Sequence, residues 1–166
     1  TTTITRLLGG DGDDVFILGS HYVENTNISS EEILIDGGSG FDILKFDQNK
    51  IGSFSGRERQ HDVVVNSRNF EKIESNMELY WNNLYSGSSL PDEVINDGIE
   101  FEFNLSGVAV SSEIDVSAET GSNLIFRLNH DSNRLWGFIS GGQLSDKFYG
   151  YIGNDTFKGN GGNDYF

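Results

Sequence analysis

The chain has 166 residues, with 26 acidic against 11 basic, a net charge of −15 and no cysteine. That acidity argues against nucleic acid, which wants basic patches, and against binding an anionic membrane, and no apolar run is long enough for membrane insertion. No disulfide framework exists, and 36% hydrophobic residues with 21 glycines fit a thin-cored repeat architecture in one domain or two small ones.

The first predicted element is a tight turn, Gly9-Gly10-Asp11-Gly12-Asp13-Asp14, feeding a strand over Val15–Leu18. Residues 19–31 read as an enlarged opposite turn and residues 32–36 as the returning strand. A second copy, Gly37-Gly38-Ser39-Gly40-Phe41-Asp42, then feeds Ile43-Leu44-Lys45. The middle is less regular. A strand is expected at Asp62–Asn66, a short helix within Glu71–Leu84, and a loop at Ser86–Asp92 around the sole proline, Pro91. Ile99–Leu105 alternates strictly and predicts a half-buried strand with odd-numbered residues inward. Shorter strands are expected at Val108–Val110, Ile114–Ser117, Leu124–Leu128 and Leu135–Ile139.

The last 26 residues, from Gly141 to Phe166, run in three units with a period of nine: Gly141 to Tyr149, Gly150 to Lys158 and Gly159 to Phe166. Each has Gly at position 1, Asp at position 6 (Asp146, Asp155, Asp164) and Phe at position 8. Positions 1 to 6 form a turn in which glycine supplies positive φ and lets backbone carbonyls crowd together. The aspartate adds a carboxylate. Such a mixture of hard oxygens is what calcium takes, six to eight at a time. Position 8 points an apolar side chain inward from a short strand. One unit is half a coil, so two units make a turn of eighteen residues and loops one turn apart share an ion. This pairs Asp146 with Asp164, and Asp14 with Asp42 across a longer coil. The loop at Gly150, Gly153 and Asp155 falls on the opposite edge, with no aspartate one turn earlier. The candidate calcium-binding residues are therefore Gly9, Asp11, Gly12, Asp14, Gly37, Ser39, Gly40, Asp42, Gly141, Asp146, Gly150, Gly153, Asp155, Gly159, Gly162 and Asp164. Leu144, Tyr151 and Asn160 replace glycines of the pattern.

Other chemistry is thin. His21, His61 and His130 are far apart and form no HExxH-type pair, so they read as surface or turn residues. Tyr80, Trp81 and Tyr85 with Asn82 and Asn83 suit either core packing or a sugar ring. No catalytic constellation is visible, and the chain is not expected to be an enzyme.

These nonapeptides resemble the repeats-in-toxin (RTX), or haemolysin-type calcium-binding, family. The stretch from Ile114-Asp115-Val116-Ser117-Ala118-Glu119 to Gly141-Gly142 is similar to segments leading into such repeats in large bacterial adhesins and surface-layer proteins. Asn69-Phe70-Glu71-Lys72-Ile73-Glu74 resembles a strand motif of the same proteins. The resemblance implies an all-β fold, a parallel β-roll, with calcium as ligand, folding outside the cell and type I secretion. It implies no catalytic activity.

The expected organisation is a calcium-binding β-roll at 1–45, a β-rich solenoid or sandwich-like insert at 46–131, and a second β-roll at 132–166. No signal peptide is expected, because residues 1–20 already contain a glycine loop. The stop in mid-repeat leads to the expectation of a segment of a longer protein. The expected function is a calcium-binding structural module, secreted or at the cell surface, that builds or links a surface layer, filament or adhesin. Its expected partners are neighbouring modules or subunits. The alternatives are a carbohydrate-binding adhesive module with a surface glycan as ligand, or the calcium-binding tail of a secreted enzyme or toxin.

Overall fold

A computed structural model describes residues 5–18, 33–47, 64, 67–76, 89–107, 112–130 and 137–166. Twelve strands are described: β1 Thr5–Asp11, β2 Val15–Leu18, β3 Ile33–Ser39, β4 Ile43–Phe46, β5 Ser67–Arg68, β6 Lys72–Ser75, β7 Glu100–Gly107, β8 Ser112–Asp115, β9 Asn123–His130, β10 Gly137–Ser140, β11 Lys147–Tyr149 and β12 Thr156–Lys158. Every pairing among them is parallel. The fold is all-β, a parallel roll.

One wall is a six-stranded sheet in the order β2-β4-β6-β7-β9-β11. Facing it are two three-stranded sheets, β1-β3-β5 and β8-β10-β12. Each coil gives one strand to the six-stranded wall and one to the facing wall, except the coil before β7, where the described residues hold a 3-10 turn, Asp92–Val94, in place of a facing strand. The coil length changes along the chain: Val15 pairs Ile43, Ile43 pairs Lys72, Lys72 pairs Glu102, Glu100 pairs Asn123, Ile125 pairs Lys147, and Lys147 bridges Tyr165. Successive turns are thus 28, 29, 30, 23, 22 and 18 residues long. Only the last has the length that nonapeptides alone dictate.

Alternation builds the core. In β7, Phe101, Phe103 and Leu105 are buried between the walls, as the odd-numbered pattern predicted. The same register stacks Phe16, Leu44, Ile73, Phe103, Phe126, Phe148 and Phe166, so the apolar residue of each repeat continues into coils that have no repeat. Phe103 stacks on Phe126 at 4.8 Å and 3°, Phe126 on Phe148 at 5.1 Å and 10°, and Phe148 on Phe166 at 5.0 Å and 7°. Ile35, Ile114 and Ile139 close the core from the facing walls.

The outer face of the six-stranded sheet carries a row of opposite charges that meet within β6 and across neighbouring coils. Lys45 meets Glu74 at 3.4 Å, Lys72 meets Glu74 at 2.9 Å and Glu102 at 3.5 Å, and Arg127 meets Glu102 at 3.4 Å. Burial works to lower the Lys72 pKa, and its contacts with Glu74 and Glu102 outweigh that and raise it.

Three expectations change. The helix within Glu71–Leu84 is corrected where it is described: Lys72–Ser75 is a strand, with Ile73 and Ser75 inward and Lys72 and Glu74 outward. Pairing on both sides by β4 and β7 decides it. The glycine turns are not free-standing, since β1 and β3 run through Gly10 and Gly38, paired in register to Asp11 and Ser39. The loop expected at Ser86–Asp92 ends in a 3-10 turn at Asp92–Val94. The strands expected at Asp62–Asn66 and Val108–Val110, His21, His61 and the Tyr80–Tyr85 cluster lie outside the described residues, apart from the buried Val64. No helix among the described residues is long and apolar enough to cross a membrane.

Candidate metal centre

The turns that follow β1, β3, β5, β8 and β10 all lead into the six-stranded sheet and lie on one edge of the roll. One step back from the paired strand positions, the register aligns Asp14, Asp42, Glu71, Phe101, Leu124, Asp146 and Asp164 in a single column. Acids occupy its two ends, and buried apolar residues occupy its middle.

Each acid past the first reaches back one coil. Asp42 Oδ1 accepts the Asp14 N–H at 2.8 Å, and Glu71 Oε2 accepts the Asp42 N–H at 2.7 Å. Asp146 Oδ1 accepts the Leu124 N–H at 2.9 Å, and Asp164 Oδ1 accepts the Asp146 N–H at 3.0 Å. The sequence reading missed Glu71. Its signal was present: an acid directly before a strand, as in Asp14-Val15 and Asp42-Ile43. On the opposite edge Asp155 Oδ1 accepts the Gly137 N–H at 2.9 Å, so the glycine of the preceding coil stands where an aspartate was lacking.

The second oxygens differ. Asp14 Oδ2 and Asp42 Oδ2 are buried and have no hydrogen-bond donor. Asp146 Oδ2 accepts the Gly142 N–H at 2.7 Å, so both of its oxygens are held by backbone. Burial pushes the Asp146 carboxyl up to about 6; the Leu124 and Gly142 N–H groups oppose this, and the Asp164 charge adds to it.

Glycine makes the room at the first two loops. A Cβ on Gly9 would run into Gly37 O and stand 2.6 Å from Asp14 Oδ2. One on Gly37 would run into Asn69 O and stand 2.7 Å from Asp42 Oδ2. Positions 2 and 4 hold φ of 100° at Gly10, 109° at Gly12, 105° at Gly38 and 146° at Gly40. Asn160 and Gly162 repeat this at 72° and 82°, asparagine being the side chain that tolerates the left-handed region. In the loop between Gly141 and Asp146, neither Gly142 nor Leu144 has positive φ, so that loop takes a different course. Asp11 and Ser39 pair with each other in the ladder and are exposed. Asp13 Oδ1 ties the loops by accepting the Phe41 N–H at 2.9 Å. Gly150 and Gly153 are exposed on the far edge, and a Cβ on Gly159 would run into Asp164 Oδ2.

A buried anionic oxygen with no donor costs several kcal/mol unless a proton or cation meets it. No three His, Asp or Glu side chains cluster to hold a metal among the described residues. The donors at Asp14 and Asp42 are instead one or two carboxylates among backbone carbonyls, all hard oxygens. That set fits calcium and does not fit a soft metal. Residues 6–20 and 138–166 match the family model of the RTX calcium-binding nonapeptide repeat, in 4 copies. The chain carries RTX repeats and binds calcium. RTX repeats occur in secreted bacterial proteins, where they are generally structural and calcium-binding. The Gly37–Asp42 loop falls outside the matched residues, yet its backbone follows that of the matched Gly9–Asp14 loop. No curated protein and no solved structure matches the chain.

Proposed function

We propose that this chain is a calcium-folded structural segment of a secreted or cell-surface bacterial protein. In this reading residues 1–45 and 132–166 are calcium-binding ends joined by residues 46–131. The folded segment links or builds a surface layer, filament or adhesin. The observation that carries the reading is the pair of buried, donorless oxygens, Asp14 Oδ2 and Asp42 Oδ2, stacked one coil apart.

The residues that would hold calcium there are Asp14 and Asp42, with the carbonyls of Gly9, Asp11, Gly12, Gly37, Ser39 and Gly40. At the other end Asp164 and Asp155 are the carboxylates assigned to ions. Asp146, whose two oxygens already accept N–H groups, acts in this reading as a brace between coils. Calcium, when bound, would supply the positive charge that the stacked carboxylates lack and would be coordinated by their oxygens. The glycines keep the carbonyls close and exclude side chains from the cradle. The apolar column beneath holds the coils in register.

Folding is then linked to binding. Extracellular calcium modules bind at about 10⁻⁴–10⁻³ M. At a hundredfold excess over that constant each site adds about 2.7 kcal/mol to stability. A few sites are comparable with the whole stability of a small domain, about 5–15 kcal/mol. The test is a calcium titration of the full chain, followed by circular dichroism and calorimetry, with magnesium as control. A rise in the unfolding midpoint with a gain of β signal at sub-millimolar to millimolar calcium, absent with magnesium, is the expected result. A chain whose unfolding midpoint is the same in chelator and in calcium, and which releases no heat with calcium, overturns the reading.

A further inference from the structure

The edge that carries the nonapeptide loops does not lose its acidity in the middle coils. Glu119, in the turn between β8 and β9, is 1% exposed. Its Oε1 accepts the Gly121 N–H at 2.8 Å, while its buried Oε2 has no donor. Among the described residues the only other buried oxygens in that condition are Asp14 Oδ2 and Asp42 Oδ2. Glu119 therefore shares the chemical state of the two repeat aspartates without belonging to a repeat.

The surroundings are acidic. The Asp97 carboxylate lies over Gly121, close enough that a Cβ there would run into its Oδ1. Asp92 stands one coil back from Thr120 and accepts its N–H at 2.7 Å. Burial raises the Glu119 carboxyl pKa, the Gly121 and Ser122 N–H groups oppose this, and the Asp92 and Asp97 charges raise it further. The backbone locks the turn on both sides: Gly98 N–H donates to Gly121 O at 2.9 Å, and Gln143 N–H donates to Glu119 O at 2.9 Å. A donorless buried carboxylate that feels the charges of Asp97 and Asp92, in a turn fixed by three coils, is a poor place for an anion alone. It is a good place for a hard divalent cation.

We propose that Glu119 and Asp97 form a further calcium site on this edge, between the two nonapeptide regions, with Asp92 contributing charge. Asp92 keeps its bond to Thr120. Oε2 of Glu119 and the Asp97 carboxylate are the side-chain ligands, and backbone carbonyls supply the rest. The site stands on its own geometry and does not depend on the assignment of Asp14 and Asp42.

Native mass spectrometry and calorimetry on the full chain in calcium test it, with Glu119→Gln, Asp97→Asn and, separately, Asp14→Asn and Asp42→Asn. Glu119→Gln and Asp97→Asn are each expected to lose one ion from the bound count and to leave the ions assigned to Asp14 and Asp42 in place. Asp97 is exposed, so its variant reports even if Glu119→Gln does not fold. An Asp97→Asn chain with the wild-type count and affinity overturns the proposal. If all calcium is lost in Asp14→Asn and Asp42→Asn while Glu119→Gln and Asp97→Asn bind as wild type, the repeat sites stand and this one falls. Loss of an ion only in Glu119→Gln and Asp97→Asn is the converse.

Discussion

The carboxylate of Asp42 accepts the backbone N–H of Asp14 at 2.8 Å, across a separation of 28 residues, and holds its second oxygen buried and donorless. One side chain thus does two jobs. Its Oδ1 ties two coils together, and its Oδ2 remains for a cation.

The two jobs separate by mutation. Asp42→Asn keeps an acceptor for the Asp14 N–H and removes the charge, so it should lose the calcium-linked part of stability and little else. Asp42→Ala also orphans that N–H, at a cost of about 1–3 kcal/mol in calcium or chelator alike. Urea unfolding of both variants in each condition measures the split. Equal losses for Asn and Ala in chelator would contradict it.

Gly38 has φ of 105°, and a Cβ there would run into Gly10 O. Gly38→Ala should therefore destabilise by more than the roughly 1–2 kcal/mol of left-handed strain alone. Asn160, at φ of 72°, sets the contrast: Asn160→Gly adds no backbone strain, so its cost should be limited to the lost Nδ2 bonds to Ser140 Oγ at 3.0 Å and Gly141 O at 2.6 Å. The ratio of their effects on the calorimetric midpoint is the measurement.

Phe126 is sandwiched between Phe103 and Phe148 and is fully buried. Phe126→Ala should cost about 3–5 kcal/mol, the range for removing a buried aromatic side chain. The loss should be as large in calcium as in chelator, because the stack faces the core and not the loop edge. A loss confined to one condition would mean the stack and the loops are coupled.

Asp146 gives the pH dependence in chelator. Its folded carboxyl is raised to about 6 from the usual 3.8, chiefly by burial. The folded chain therefore holds that proton more tightly than the unfolded chain. Its stabilising contribution is complete below pH 3.8 and is lost as pH rises through about 6. Carbon-detected NMR of the Asp146 carboxyl should show a midpoint near 6. A midpoint at the ordinary aspartate value would contradict the burial seen here.

The ends of the roll were legible because one signal repeats there. Val15–Leu18 was read with its observed bounds, and β7 with its inward face, since glycine spacing and alternation are local properties. The middle hid the same architecture. Its coils of 29, 30, 23 and 22 residues share no period, and the acid column passes through Glu71, Phe101 and Leu124, which no glycine announces. Lys72–Ser75 looked ambiguous alone and became a strand because β4 and β7 flank it. Glu119 gave no spacing signal at all. Only the fold brings it beside Asp97 and Asp92.

The back-reaching carboxylates have a direction. Asp42 to Asp14, Glu71 to Asp42, Asp146 to Leu124, Asp164 to Asp146 and Asp155 to Gly137 all run from a later coil to an earlier one. The column before the strands of the six-stranded sheet is therefore polar along the roll's axis, like a stack of cups, whereas inside the turns Asp13, which accepts the Phe41 N–H, and Asp92, which accepts the Thr120 N–H, reach the other way. Each coil along this column can therefore enter in one sense alone, with its carboxylate facing the backbone N–H of the coil before it.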